Sequence, residues 1–429
     1  MENKPIEWKP PDNFQLIDSD LDGIVVYAPI KQNDANQSAR NYLCPSCGAV
    51  TRYDIAAGGV ACEHCGYTAP SPAKRIGGRA DEHEFTLESL RKSAKGWGIN
   101  RREIRCENCG AVLSIDDKTL STTCSFCGSN KVNLREVVDD ALRPSALIPF
   151  KIEPKTAYGC IMNWLGKGWY HPSELSSLAN LDRLQGIYLP FWIFAANIRA
   201  DWKAEVGYER QERYYDSGSK EWKTRIRIDW RWETGTVGLS INNLTVSASS
   251  HIRQDILERL YPFNYGELVV YNPDFLAGWN AQQYDIVLSD AWEKAKARMR
   301  EQAKQTCRQD IPSPHVRNLS LTADFADETW KYVLLPIYLV SYQFNQKVYQ
   351  VMVNGQSGLI AGQKPVAWWK IWLAIAGMLI PGLVIGLIGL ILLVFGGIGM
   401  IPLVIGGILL VIGLIISISL YQQAYRSEA

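Results

Sequence analysis

Eight cysteines fall into two sets with one spacing, Cys-x2-Cys-x14-Cys-x2-Cys: Cys44, Cys47, Cys62 and Cys65, then Cys106, Cys109, Cys124 and Cys127. Each cysteine of the first set recurs 62 residues later, and the neighbours recur with it: Gly48-Ala49-Val50 matches Gly110-Ala111-Val112, and Gly66 matches Gly128. Two residues between cysteines let both sulfurs of a tight turn face one ion, and the glycine that follows tolerates the positive φ such a turn needs. Two turns together complete a tetrahedral shell of four sulfurs. The pattern predicts a duplicated metal-bound module, with zinc as the ion and two ions per chain. Iron is the runner-up, because rubredoxin-type sites use similar turns. Four thiolates leave no open position for a substrate, so the sites read as structural. Each connection between the pairs has room for a β-hairpin, residues 50–53 against 60–61 and residues 112–115 against 120–123. His64 lies inside a turn, is a poor ligand there and is expected to be exposed. Thiol–disulfide centres generally occur singly on a βαβ scaffold, which disfavours a redox reading.

The compartment follows from context. The first residues, MENKPIEWKPPDNF, offer no apolar run and no small-residue cleavage site, so no secretory signal is expected. Paired cysteines in such a chain favour metal binding in a reducing compartment.

Residues 371–425 contain no charged side chain. A helix needs about 20 apolar residues to cross a bilayer, so the stretch is long enough for two crossings, at about 372–395 and 400–421, joined by Gly396-Gly397-Ile398-Gly399. Lys364 and Lys370 precede the first span and Arg426 follows the second, which predicts both ends and the whole soluble part on the cytoplasmic side of the inner membrane. Trp368, Trp369, Trp372, Tyr421 and Tyr425 stand where headgroup-level aromatics are expected. Gly382 and Gly386 permit close helix approach, read first as packing within the hairpin and second as a homo-oligomer contact. The spans hold no ionisable group, which argues against a pump or transporter built by this hairpin alone.

Residues 135–365 combine strands, aromatics and two helical stretches, at 155–165 and 291–306. Residues 225–233 alternate, with Ile226, Ile228, Trp230 and Trp232 on one face and Arg225, Arg227, Asp229 and Arg231 on the other, the pattern of a half-buried antiparallel strand. Asn354-Gly355 is expected to make a two-residue hairpin turn. Leu189-Pro190-Phe191-Trp192-Ile193-Phe194 echoes Leu335-Pro336-Ile337-Tyr338-Leu339-Val340; a duplicated α+β unit would explain it, and so would chance similarity of two buried strands. No catalytic residue is assigned: Gly166-Lys167-Gly168 lacks the spacing of a phosphate-binding loop, the histidines are scattered, and Cys160 and Cys307 read as core or incidental. The protein is therefore expected to be non-enzymatic. Arg91, Lys92, Lys95, Arg101, Arg102 and Arg105 form a basic run that reads as a solvated helix face or as a phosphate-attracting patch. Residues 1–135 carry 17 basic and 17 acidic side chains, which weakens a nucleic-acid role.

The duplicated cysteine modules, the Leu-Pro-Phe-Trp-Ile strand, the Val-Asn-Gly-Gln-Ser-Gly turn and the closing hydrophobic hairpin together resemble bacterial TFIIB-type zinc-ribbon membrane proteins. Some relatives are similar to anchors of phage-shock-protein-A-type scaffolds in envelope stress. The resemblance implies zinc held by all eight cysteines and a cytosolic protein scaffold as partner. The expected fold is multidomain: two tandem β zinc ribbons, an α+β middle domain rich in antiparallel strands, and a C-terminal two-helix transmembrane hairpin. The expected boundaries are an irregular segment 1–40, ribbons at 41–70 and 103–132, a linker with a helix at 71–102, the α+β domain at 135–365 and the hairpin at 371–425. The implied role is a membrane-anchored adaptor whose zinc ribbons bind the protein partner, with tethered nucleic-acid binding and an unrecognised enzymatic site in the middle domain as alternatives.

Overall fold

In the computed structural model the two Leu-Pro segments lie side by side at the centre of one large sheet. The structure describes residues 14–17, 26–29, 43–71, 76, 83–84, 101–108, 110–116, 124, 126, 129, 131–135, 142–175, 184–252, 254–345, 347–396 and 399–428. Met1–Asn41 with Gly98–Asn100 form one unit, of which β1 (Phe14–Ile17) and β2 (Val26–Pro29) are described as an antiparallel hairpin. The other unit is Tyr42–Trp97 with Arg101–Ala429. It starts with a three-stranded sheet, β3 (Arg52–Asp54), β4 (Gly59–Ala61) and β5 (Thr68–Pro70). Next come β6 (His83–Glu84), then β7 (Arg101–Cys106), β8 (Val112–Asp116) and β9 (Val132–Arg135) around the second cysteine set. The α+β part runs β10 (Ala146–Leu147), α1 (Pro154–Gly166), β11 (Gln185–Asp216), β12 (Glu221–Ser247), α2 (Gln254–Glu258), β13 (Val269–Val270), β14 (Asn280–Gln282), α3 (Leu288–Asp310), β15 (His315–Phe344), β16 (Lys347–Asn354) and β17 (Ile360–Gly362). Two long helices close the chain, α4 (Trp368–Gly396) and α5 (Met400–Glu428).

β11 and β15 pair antiparallel with Leu189 opposite Leu335, and their surroundings repeat about that pair. On the other edge of β11, β14 runs parallel at Ile187 and Tyr188, and β12 takes over from Phe191. On the other edge of β15, β10 runs parallel at Val333 and Leu334, and β16 takes over from Ile337. Pro190 and Pro336 sit in the two gaps between successive neighbours. A proline has no N–H, so a central strand tolerates it only where the ladder needs no donor. Each proline carbonyl still accepts one bond, Pro190 from the Ala248 N–H at 3.0 Å and Pro336 from the Gly355 N–H at 2.9 Å. The order β10-α1-β11-β12 thus recurs as β14-α3-β15-β16, and in each unit the helix starts eight residues after its short strand does. The first strand of each unit pairs with the long strand of the other. The echo between the two Leu-Pro strands is accordingly the centre of a duplicated unit with a pseudo-two-fold axis through Leu189 and Leu335.

The core has two faces. On one, Ile187, Leu189, Phe191 and Ile193 pack with Leu335, Ile337 and Leu339, with α2 and with residues of the second cysteine module. On the other, Trp192 packs among Tyr284, Trp330 and Tyr332, and Phe150 among Tyr188, Trp279 and Tyr338. The aromatics of the two Leu-Pro strands are therefore core.

β11, β12 and β15 have 32, 27 and 30 residues, far beyond the usual strand of 3–10. At ~3.3 Å per residue their contour reaches about 100 Å. Register shifts at Phe194/Ala196, Ala195/Asn197 and Lys203/Glu205 interrupt the ladders, as bulges do where a long ribbon must bend. Helix α3 covers one side of this arm through Trp292, Ala295, Met299, Ala303 and Cys307, above Ala200, Trp202, Ala204 and Val206. The Trp202 indole donates to Asp310 Oδ2 at 2.8 Å and closes the far end of that packing.

Two expectations change. The Asn354-Gly355 turn is larger than two residues: β17 pairs with β16 only from Val353 opposite Ile360, and the loop closes with Gly358 N–H to Asn354 O at 2.9 Å. The buried Asn354 side chain accepts from the amides of Gln356 and Ser357 and sets this wider loop. Gly355 is needed for space, since a Cβ there would lie 2.5 Å from the Phe150 ring. The linker helix expected at 71–102 falls mostly outside the described residues, but Glu84 is in β6, paired with β15, and Arg101, Arg102 and Arg105 are extended in β7.

α4 and α5 are each long and apolar enough to cross a membrane, and only about a tenth to a sixth of their most apolar windows is buried. They contact backbone to backbone: a Cβ on Gly382 would lie 2.9 Å from Leu410 N, and one on Gly406 would lie 2.5 Å from Gly386 N. Gly382 thus serves packing within the hairpin, whereas a Cβ on Gly386 would meet nothing within 4 Å.

Candidate metal centre

The first cysteine set is built from two turns of one design. Cys44 N–H donates to Ala49 O at 2.7 Å and Gly48 N–H to Cys44 O at 2.8 Å; Cys62 N–H donates to Tyr67 O at 2.8 Å and Gly66 N–H to Cys62 O at 3.0 Å. Gly48 and Gly66 both have φ of 75°, a value that excludes most other residues. The sheet β3-β4-β5 holds the turns together, and all four ligand sulfurs, of Cys44, Cys47, Cys62 and Cys65, lie within 4.8 Å of one another. Two pairs cross between turns, Cys44 Sγ to Cys65 Sγ at 3.4 Å and Cys47 Sγ to Cys62 Sγ at 3.6 Å. A disulfide would need about 2.05 Å. Sulfurs at the corners of a zinc tetrahedron with Zn–S of about 2.3 Å stand ~3.8 Å apart. The donor set and its spacing therefore fit a four-thiolate metal ion.

The protonation pattern agrees. Burial pushes the Cys44 thiol up, but the backbone N–H groups of Ser46 and Cys47 and the neighbouring thiols outweigh it and bring it to about 6. Cys65 goes the other way, to about 12: the Tyr67 backbone N–H lowers it, and the sulfurs of Cys44 and Cys47 raise it by more. One thiolate forms readily, and further negative charge is resisted until a counter-charge is supplied, which a divalent cation would do. His64 is exposed, as expected for a residue inside the turn.

The second set repeats the backbone design as far as it is described. Cys106 N–H donates to Ala111 O at 2.9 Å, Gly110 N–H to Cys106 O at 2.9 Å, and Cys124 N–H to Ser129 O at 2.8 Å. Gly110 has φ of 77°. All four turns thus share the amide bond from the leading cysteine to the carbonyl five residues on. Cys106 and Cys124 are buried, whereas Cys109 and Cys127 lie outside the described residues, as does the expected partner strand at 120–123. Among the described residues, β8 pairs with β7 and β14.

Both modules are docked on the α+β part. In the first, Tyr53 N–H donates to Ala277 O at 2.9 Å, the Trp279 indole donates to Tyr53 O at 3.3 Å, and the Tyr53 ring lies 5.0 Å from Phe275. In the second, Phe126 is buried and its carbonyl accepts from Ser341 Oγ at 2.8 Å and Gln350 Nε2 at 2.5 Å. Of the basic run, Arg91, Lys92 and Lys95 lie outside the described residues, and Arg105 is exposed on β7. Cys307 is buried in the α3 seam and Cys160 is half-buried on α1.

One surface was not anticipated. The alternation at 225–233 holds, but its apolar face is only partly covered: Ile228 and Trp230 are half-buried, whereas Ile226 is 64% and Trp232 55% exposed, as are Trp222 (64%) and Tyr215 (52%) toward the tip. Opposite partners share a face, so Tyr215 joins Trp222 and the stripe continues through Ile226, Ile228, Trp230 and Trp232. Cations lean on its rings, Arg317 over Trp230 at 4.0 Å, Lys203 over Trp232 at 5.1 Å and Arg213 over Trp222 at 5.9 Å. The opposite face of the tip is an ion-pair surface in which Arg225 binds Glu212 at 2.8 Å and holds its carboxyl below the usual range. Period-two alternation alone does not say whether the apolar face meets the chain's own core.

The chain is similar to the uncharacterized protein YdjG of Bacillus subtilis (strain 168), with 27% identity over 338 residues that cover 77% of this chain and 92% of that protein. No family model matches the chain. No solved structure matches it.

Proposed function

We propose that the chain is a non-enzymatic, membrane-anchored zinc-ribbon adaptor of the TFIIB-type kind. Its hairpin would cross the inner membrane twice and leave both termini and the soluble part in the cytoplasm, where the arm would bind a cytosolic protein scaffold, as in envelope-stress or membrane-maintenance assemblies. The observation that carries this reading is the aromatic stripe of β11 and β12. Large apolar side chains exposed together on one sheet face mark interaction sites, and tryptophan and tyrosine dominate binding hot spots. The stripe is neutral in balance, with Arg317 bonded to Glu205 and the His315 ring to Glu209, which suits a protein face better than a phosphate backbone. The ribbons have a different part: with zinc on Cys44, Cys47, Cys62 and Cys65, and a second zinc on Cys106, Cys109, Cys124 and Cys127, they would brace the base from which the arm projects.

A photo-crosslinking residue at Ile226 of the full-length protein in cells tests this. It should capture one cytosolic scaffold protein, the capture should be lost in W222A/W232A, and the same residue at Lys294 on the exposed side of α3 should capture none. No adduct at Ile226, or equal adducts at both positions, would remove the adaptor reading.

A further inference from the structure

The base of the hairpin is bound to the soluble domain and is not a free linker. Ala367 N–H donates to Tyr170 O at 2.9 Å, and Lys370 Nζ donates to His171 O at 2.8 Å. The His171 ring is buried, which holds it neutral, and its Nδ1–H donates to Pro365 O at 2.9 Å. Lys364, offered by the sequence as a flanking charge, is also buried here: its amine lies 4.2 Å from the Trp164 ring centre and donates to the carbonyls of Trp164 and Lys167. The Tyr170 ring packs with Val366, Ile371 and Ala424, at the root of both long helices. These contacts fix residues 164–171 at the level of the first turn of α4.

At that level three tryptophans stand out from the protein: Trp169 is 56%, Trp369 64% and Trp372 58% exposed. Two belong to α4, while Trp169 belongs to the soluble domain and rests edge-on against Tyr170 at 5.7 Å. Trp368 packs tilted against Tyr421, which stacks on Tyr425, around the same root. Beside it opens a cleft of about 420 Å³ lined by Glu174, Phe344, Trp369 and Lys370, among others. Tryptophan has an apolar body and a polar N–H and gathers where hydrocarbon meets headgroups.

We propose that residues 164–171 are a third membrane-contacting element, with Trp169 seated among phospholipid headgroups beside Trp369 and Trp372. The soluble domain would then lie directly on the lipid surface, its orientation set by a rigid contact. The inference rests on the hairpin spanning the membrane.

The full-length protein, labelled with 5-fluorotryptophan and reconstituted in phosphatidylethanolamine/phosphatidylglycerol vesicles, tests it by fluorine NMR. W169F, W369F, W372F and W222F assign the signals. A nitroxide carried near the lipid headgroup should broaden Trp169 about as strongly as Trp369 and Trp372, and several-fold more than Trp222 on the arm. A water-soluble gadolinium chelate should give the reverse order. Trp169 behaving like Trp222 while Trp369 and Trp372 respond to lipid would overturn the proposal and leave the membrane hairpin standing. If Trp372 also ignored the lipid label, the hairpin reading would fail and this contact with it.

Discussion

The two cysteine modules share their turns and differ in everything around them. The first keeps a sheet of its own, β3-β4-β5, and touches the rest through Tyr53, Arg52 and β4, against residues 273–279. The second gives its strands away: β8 pairs with β14, which joins β7, β8 and β9 to the sheet of β11 and β15. Ile104, Cys106, Leu113, Ile115, Cys124 and Phe126 belong to the main core. The reason lies in the strand after the second cysteine. Residues 50–53 read Val-Thr-Arg-Tyr and offer little apolar surface; residues 112–115 read Val-Leu-Ser-Ile, and burying them repays annexation to a larger core. Local turn chemistry thus fixes where a cysteine module forms, and strand hydrophobicity decides whether it stays a satellite.

That difference is sharpest when a ligand is removed. A structural zinc contributes roughly 10–16 kcal/mol apparent in zinc-finger peptides, against about 5–15 kcal/mol of total stability for a domain. Cys124→Ser should abolish the main cooperative unfolding transition of the detergent-solubilised protein. Cys62→Ser should leave that transition in place and lower bound zinc from two ions to one. Melting by near-UV circular dichroism with elemental analysis reads both. Equal loss of the main transition in both variants would break the contrast, and fewer than one zinc in the parent would overturn the metal assignment.

A smaller effect is expected from the side chains that dock each module. Phe126→Ala removes a fully buried ring from the main core and should cost about 3–5 kcal/mol of global stability. Tyr53→Ala removes a ring of similar size that meets Phe275, yet its cost should appear only as faster amide exchange within residues 43–71. Denaturant unfolding together with hydrogen exchange separates the two. A drop of several kcal/mol in the global value for Tyr53→Ala would show that the first module is as integral as the second.

The turns of the first cysteine set were legible to the residue, because two thiols, a two-residue gap and a glycine admit few backbone conformations. The helices α1 and α3 and the long apolar pair α4 and α5 were legible from periodicity and length. The duplication was visible as an echo but not as a structure, since nothing in one Leu-Pro strand says that its partner is the other. The prolines held that information in a negative form: each marks a missing ladder bond, hence a change of neighbour, which only the paired strands reveal. The length of β11, β12 and β15 was hidden by their polar outer halves, where alternation continues but burial stops. The wide loop after Asn354 was missed because the buried amide side chain, rather than the Asn-Gly pair, sets its geometry.

The smallest test of the contrast uses the glycines that the two modules have in common. Gly48 and Gly110 have nearly the same φ, 75° and 77°, so alanine at either place meets the same left-handed backbone penalty, roughly 1–2 kcal/mol. Neither substitution adds a clash: a Cβ on Gly48 has no neighbour within 4 Å, and one on Gly110 lies 3.8 Å from the His251 ring. The local perturbation is therefore matched, and only the surroundings differ. In Gly110→Ala the penalty falls on a turn whose cysteine is part of the main core, so the main melting temperature should drop by a few degrees. In Gly48→Ala that temperature should hold, and the penalty should appear as zinc held about five- to thirtyfold more weakly by the first module, read by competition with a chromophoric chelator. If the two variants shift the main transition equally, the first module shares the cooperative core despite its separate sheet.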